Sequence, residues 1–212
     1  LKRKSNSATL IDFEDSGRGD GSRFGGATAN WLAEGESIPA TAPTFRAMNL
    51  KLHRLGGLVY ATDELIEDSP LLGTILMNGM SKEILFKLED SMINGSGSGN
   101  PKGIIDHAAT IVIAKETGQS ANTILAENVI KMWSRCWGAS RKNAVWLINQ
   151  DAEEQLMEMS LNDISVYQPA TGPTVEGYPS LFGRPVIPSE YCQTLGTKGD
   201  IILFDPSQYI MM

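Results

Sequence analysis

The sequence predicts an α+β fold, and three observations carry that prediction. Two stretches, 6–14 and 48–60, alternate apolar and polar residues as strands do. From Leu71 to about Asn94 the apolar residues recur at steps of three and four, the mark of one helix face. Val145-Trp146-Leu147-Ile148 is a continuous apolar run of the kind buried strands have, set between two further helical patterns. No internal repeat is visible.

Taken in order, the first strand puts Thr9, Ile11 and Phe13 on one face and Asp12 and Glu14 on the other. Asp15 to Gly26 is rich in glycine and charge, cannot build a core, and is expected to be a mobile loop. Met48, Leu50 and Leu52 then alternate with Asn49, Lys51 and His53 in a second strand. Gly56-Gly57 interrupts it and Leu58-Val59-Tyr60 resumes it. Residues 9–60 therefore read as two long strands joined by a wide Gly- and Pro-rich excursion. A lone two-stranded ribbon is marginal in water, so this one must lie on its own domain or on another subunit.

Thr62-Asp63-Glu64 opens a short helical turn, and Pro70 suits the first turn of the helix that follows. On that helix Leu72, Ile75, Leu76, Met80, Ile84, Leu88 and Met92 share a face. Twenty-four residues make a rod of about 36 Å. Gly79 is expected to mark a bend or a close contact, and Gly95 to stop the helix. A glycine-rich loop runs to Gly103, and Ile111-Val112-Ile113 reads as a short strand. Thr123 is placed to cap a second helix carrying Leu125, Val129, Met132, Trp133, Cys136 and Trp137 on its apolar side, with Gly138 at its end. Asp151 and Glu154 form a capping box for a third helix through Met159. Pro179 to Ile187 and Ile201 to Phe204 close the pattern as strands.

Composition excludes several functions. The 212 residues carry 18 Lys and Arg against 25 Asp and Glu, a net charge of −7, and 42% of them are apolar. That is too apolar for a wholly disordered chain and too acidic to wrap nucleic acid. Two cysteines cannot make a disulfide scaffold, and no apolar run approaches the ~18 residues of a membrane span. Cys136 and Cys192 lie far apart outside any redox motif, which predicts reduced thiols and an intracellular origin. No secretory leader is read at Leu1-Lys2-Arg3-Lys4.

Motifs of chemistry are weak. The loop Gly95 to Gly103 lacks the Gly-Lys-Ser/Thr ending of a phosphate loop and leaves a helix instead of opening one, so it reads as helix terminator and turn. Arg18-Gly19-Asp20 spells an adhesion tripeptide that chance supplies readily. His53 and His107 match no metal spacing, and no Ser elbow exists. Carboxylates cluster at Asp12, Glu14 and Asp15 and at Asp63, Glu64, Glu67 and Asp68; a solvated strand edge and a helix N-terminus explain them. No catalytic, cofactor-binding or metal residue is predicted. Trp133, Trp137 and Trp146 sit at core-facing positions, whereas Trp31 lies in the excursion and reads as an interface anchor.

The order of features is itself informative. Asn30-Trp31-Leu-Ala-Glu34-Gly35 is followed by Ile38-Pro39, Pro43-Thr44-Phe45 and a strand; then come Thr62-Asp63-Glu64-Leu65 and Glu67-Asp68-Ser69-Pro70. The long helix, Asn94-Gly95-Ser-Gly97, Pro101-Lys-Gly103-Ile104, Trp146-Leu-Ile-Asn149, Leu181-Phe-Gly183-Arg-Pro185-Val186 and Gly199-Asp200-Ile201 with Phe204-Asp205 complete the series. In that order and spacing, from about residue 9 to 212, the sequence resembles the HK97-type major capsid protein of tailed bacteriophages and prophages.

The resemblance implies an E-loop hairpin at 9–60 and a peripheral lobe at 61–120 with a spine helix at 69–95. It also implies an axial lobe at 121–205 and the start of a return to the peripheral lobe at 206–212. It implies a non-enzymatic shell subunit without cofactor, whose partner is itself in pentamers and hexamers. Packaged double-stranded DNA is held without sequence-specific binding, and no membrane is involved. A scaffolding segment, a maturation protease and a portal are the other implied partners, and the implied location is the virion, assembled in a bacterial cytoplasm.

Trp31, Leu32, Glu34, Ile38 and Phe45 are the expected subunit-interface residues. Members that cross-link covalently use a Lys where Ile38 stands here, so that chemistry is not expected. The family continues beyond the region of Met212 and carries an N-terminal arm, so a core fragment is expected. An encapsulin-like nanocompartment shell is the alternative within the fold, and a carboxylate-dependent hydrolase the alternative outside it.

Overall fold

The structure is a computed structural model that describes residues 7–15, 24–60, 71–161, 164–169 and 178–210. The turn expected at Thr62–Glu64, the adhesion tripeptide, the carboxylates at 63–68 and most of the loop expected at 15–26 lie outside the described residues. The chain divides into two units, Leu1–Leu52 with Met211–Met212, and His53–Ile210.

The first unit is built on a hairpin. Strand β1 (Ser7–Phe13) pairs antiparallel with β2 (Phe45–Lys51), from Ser7 opposite Lys51 to Phe13 opposite Phe45. Ala8 and Leu10 face Leu50 and Met48, and this is the more covered face; Ala8 is buried. The face that the sequence pattern assigned to Thr9, Ile11 and Phe13 is exposed. The reason is size: two strands have only two faces, and among the described residues only the Gly25 turn approaches Phe13 on that one. The strand pattern expected to resume at Leu58–Tyr60 does not form, and those three residues are exposed.

The second unit begins with helix α1 (Leu72–Asn94). It ends where expected, but Gly95 is extended (φ −59°, ψ 131°) rather than left-handed. Glycine is needed there for proximity: a Cβ would run into the carbonyl oxygens of Pro101 and Ser91. A Cβ at Gly103 would strike the Ile93 carbonyl and the Gly95 nitrogen. These two glycines let the Gly95–Gly103 loop fold flat on the helix end, with Gly103 N donating to Gly95 O at 2.8 Å and Ile105 N to Ile93 O at 3.1 Å. Gly79 faces open space, so the close contact expected there is absent. Of the whole helix only Ile93 is fully buried.

Helix α2 (Ala126–Arg135) starts later and stops earlier than its apolar pattern suggested. Leu125, not Thr123, is the cap residue: Asn128 Oδ1 accepts from Leu125 N at 2.9 Å, while the Thr123 hydroxyl donates to Ser120 O. Cys136 is already extended, so Trp137 falls off the helix and is half exposed rather than core. Strand β3 (Val145–Ile148) follows, then helix α3 (Glu153–Glu158). Asn149 rather than Asp151 supplies the capping oxygen there, accepting from Asp151 N at 3.0 Å. No strand forms at Ile111–Ile113, because these residues are uncovered and pair with nothing among the described residues.

Short strands β4 (Ser160–Leu161) and β5 (Ile164–Ser165) pair with each other. Strands β6 (Tyr167–Gln168), β7 (Ser180–Leu181), β8 (Arg184–Pro188) and β9 (Ile201–Phe204) join β3 in a five-stranded sheet ordered β6-β7-β8-β3-β9. Only the β3–β8 pair is parallel. The core sits on this sheet, around Val129, Trp146, Ile148, Leu156, Leu181 and Val186. Trp146 is fully buried, its indole donates to Leu181 O at 3.0 Å, and Trp133 stacks on it with centroids 6.5 Å apart. A satellite cluster of Ile93, Cys192 and Ile202 fastens the end of α1 to the other side of β9 and β3.

Candidate functional site

The residues singled out from sequence lie in the first unit, four of them on the excursion between β1 and β2 and Phe45 at the start of β2. Its root is closed by backbone contacts: Thr44 N donates to Gly25 O at 2.9 Å, and Glu14 N to Thr44 O at 3.1 Å. Gly25 is left-handed at φ +73°, and a Cβ there would collide with the Thr44 carbonyl, so glycine fixes this closure. Near the tip, Glu36 accepts from Ala33 N at 3.0 Å through its carboxylate and donates its own N–H to Ala33 O at 3.1 Å. That turn presents Trp31, Leu32, Glu34 and Ile38.

Among the described residues of the unit, little covers them. Trp31 is 103% exposed, Ile38 81%, Phe45 60% and Leu32 39%, and Glu34 is exposed too. The structure does not gather the five into one cluster. Phe45 alone has an aromatic partner, Phe13, stacked at 5.1 Å and 30°. Four large apolar side chains exposed along one short segment set it apart from the buried core of the second unit. Beside it, Asp12, Glu14, Asp15 and Arg46 line a shallow 220 Å³ hollow, with Arg46 3.9 Å from Glu14. The wide gap and exposure make that pair a weak one.

Sequence reasoning missed a second surface. On α1, the apolar residues do not form one stripe; Ile75, Met77, Ile84, Leu85 and Leu88 are all exposed, as is Leu71 just before it. The signal was present, since residues at 75, 77, 84 and 85 cannot share one face of a 100° helix. It also missed the polar lock at the helix end. Tyr191 donates to Glu89 at 2.5 Å and packs on Phe86 at 5.1 Å; Asn94 donates to Tyr191 O at 2.8 Å, and Gln193 to Asn94 at 2.9 Å. The Glu89 hydrogen bond, with burial second, pushes the Tyr191 hydroxyl up to about 12. These links span about a hundred residues of sequence, and no local pattern announces them.

The arrangement offers little to catalysis. His53 is exposed beyond the end of β2, and His107 accepts from Ala109 N at 3.1 Å through Nδ1, a turn contact. Cys136 and Cys192 are free thiols, and burial pushes Cys192 up to about 12, far from the range of a nucleophile. Among the described residues no cluster of His, Cys, Asp and Glu could hold a metal ion, and no helix is long and apolar enough to cross a membrane.

Comparison with known proteins agrees with a surface made for association. The sequence matches the phage capsid family over residues 7–212. No curated protein matches it. Among solved structures, it is similar to the capsid of the empty GTA (gene transfer agent) particle, at 19% identity and a TM-score of 0.70. That match covers 97% of this chain and 69% of the other. It is equally similar to the capsid of the native GTA particle, at 18% identity and a TM-score of 0.71, over 97% and 70% of the two chains. These likenesses establish the HK97-type fold expected from the sequence. An uncovered hairpin, an uncovered helix and a family match over nearly the whole sequence lead to one conclusion: the chain belongs to the phage capsid family and is a structural subunit of a capsid shell.

Proposed function

We propose that copies of this chain assemble into pentamers and hexamers of an icosahedral shell that encloses double-stranded DNA in a phage or prophage particle, formed in a bacterial cytoplasm. In this reading the hairpin is the E-loop of the sequence expectation, α1 is the spine of the peripheral lobe, and the β3 sheet with α2 is the axial lobe. Trp31, Leu32, Glu34, Ile38 and Phe45 are contacts to a neighbouring subunit, and the chain works by being buried, not by catalysis. The observation that carries the reading is the hairpin excursion whose apolar side chains are exposed among the described residues of their own unit. Closed shells arise from repeated head-to-tail contacts, which need such one-sided surfaces. No observation favours the nanocompartment or the hydrolase.

The test is negative-stain microscopy with light scattering on the purified full-length protein. Uniform megadalton shells are the expected result. A protein that stays monomeric at every concentration and salt tried overturns the proposal.

A further inference from the structure

Around the five-stranded sheet, basic and acidic side chains are placed at opposite ends. From Asn143 to Gly183 the sequence holds no Lys or Arg, and the segment is bounded by Lys142 and Arg184. The fold turns this pattern into an axis. Lys142 precedes the start of β3, and Arg184 starts the parallel strand β8 and donates to Lys142 O. Arg141 stacks over Trp133 at 5.1 Å and donates to Trp133 O at 2.9 Å and Ser134 O at 3.3 Å, which brings in Arg135 at the end of α2. Four cations therefore meet at one end.

One carboxylate, Asp205, joins them there after β9, and it is buried and bound to the Ser207 amide at 3.0 Å and hydroxyl at 2.7 Å. Asp205 is thus satisfied locally, and the four cations make no ion pair among the described residues.

The opposite end is acidic. Beyond β3 come Asp151, Glu154 and Glu158 on the α3 segment. Glu127 joins them at the start of α2, because Ile124 N donates to Gln155 Oε1 at 2.7 Å and Gln155 donates to Asn122 O at 3.0 Å. All four are exposed and unpaired among the described residues. Lys198, on the loop leading into Asp200, is committed to Asp106 at 3.0 Å. Ten residues of α2 separate the two ends by about 15 Å, beyond the ~8 Å screening length of physiological salt. Each end thus presents its own sign to an approaching surface.

We propose that these two ends bind each other between copies: the Arg135/Arg141/Lys142/Arg184 end of one chain meets the Glu127/Asp151/Glu154/Glu158 end of the next. The occupant is a second copy because the complementary charge is carried at the other end of the same sheet. A head-to-tail contact of this kind repeats around an axis and closes a ring, which a self-complementary patch would not do. The inference rests on the shell reading for its context, but its chemistry needs only two chains.

The test uses two reversed full-length chains, Arg135→Glu/Lys142→Glu and Glu154→Lys/Glu158→Lys, chosen at exposed positions outside the Trp133 stack. Each reversed chain should associate about tenfold or more weakly than the parent in sedimentation velocity, with circular dichroism unchanged. An equimolar mixture of the two should form mixed complexes that dissolve at 0.5 M salt, and the fourfold variant should regain parental association. The mixture needs only pairwise contact, so it stays decisive even where no closed shell forms and the shell reading itself fails. A mixture that stays monomeric, or single reversals that associate like the parent, overturns the inference. Loss of binding to a short DNA duplex by the first variant, with no mixed complexes, overturns it in favour of a nucleic-acid contact.

Discussion

Trp31→Ala separates folding from assembly more cleanly than any other substitution in the chain. Its side chain is fully exposed in its own unit, so truncation removes no intramolecular contact. An uncovered surface position changes unfolding free energy by no more than about 0.5 kcal/mol. In an assembled neighbour contact the indole would bury roughly 150–250 Å², worth about 4–6 kcal/mol at 25 cal/mol/Å² before ordering costs. Measured anchor residues lose 2–4 kcal/mol, and a loss of about 3 kcal/mol per contact is over a hundredfold in association.

The assay pairs thermal unfolding of the unassembled chain with the critical concentration for particle formation by light scattering. The melting temperature should hold while the critical concentration rises steeply. A critical concentration within twofold of the parent would refute the assignment of Trp31 as an anchor. Phe45→Ala is the internal contrast, because it also removes the stack on Phe13 and should soften the hairpin by about 0.5–1.5 kcal/mol.

Two further outcomes follow from the second unit. Gly103→Ala forces a methyl against the Ile93 carbonyl and should lower the urea midpoint by an amount equal to about 1–3 kcal/mol. Gly79→Ala, facing open space, should leave the midpoint unchanged or raise it, and equal effects at the two positions would refute the packing argument. Tyr191, held protonated by Glu89 up to about 12, titrates near 10 once unfolded. The unfolded chain releases that proton first, so the contribution is complete below pH 10 and is lost as pH rises towards 12. Urea midpoints at pH 9, 10 and 11 should therefore fall more steeply in the parent than in Tyr191→Phe. Part of the slope will remain in the variant, because Tyr167 is also pushed up to about 12 by burial and Glu153. Identical slopes would remove Tyr191 from the account.

What could be read from sequence was what local physics decides. The limits of α1, the β3 run and the strand at 201–204 followed from spacing and from glycine stops, which need no knowledge of the rest of the chain; the single strand expected from Pro179 to Ile187 is instead a tight hairpin of β7 and β8, turned at Phe182 and Gly183, both at positive φ. Ile111–Ile113 failed because apolar β-branched residues make a strand only when another edge is offered, and none of the described strands offers one. Thr123 failed as a cap because Asn128, one turn inside the helix, reached the Leu125 amide first. Trp137 failed as core because α2 ended two residues before it. On the hairpin, Trp31 and Ile38 were legible as exposed, since an excursion between two strands has nothing to pack against. The lock around Tyr191 was not, because its partners stand about a hundred residues away in the sequence.

The net charge of −7 sets a problem that a shell must solve. Identical acidic chains repel, and repulsion grows with every copy added to a wall. Two features of this chain act against it at different ranges. In the proposed assembly the exposed apolar side chains of the hairpin would give an attraction that salt does not weaken, but one that acts only at contact and carries little orientation. A lobe with a cationic end and an anionic end adds orientation: a copy arriving the wrong way round meets its own sign, and like-charge juxtaposition is penalised more heavily than a correct pair is rewarded. Because exposed pairs are worth only about 0–1 kcal/mol each, the charges would select the register while the hairpin supplies most of the affinity. Raised salt should then relax the ordering of ring contacts before it abolishes association, a sequence that scattering and microscopy across a salt series can resolve. Loss of association before any loss of order would reverse this assignment of roles.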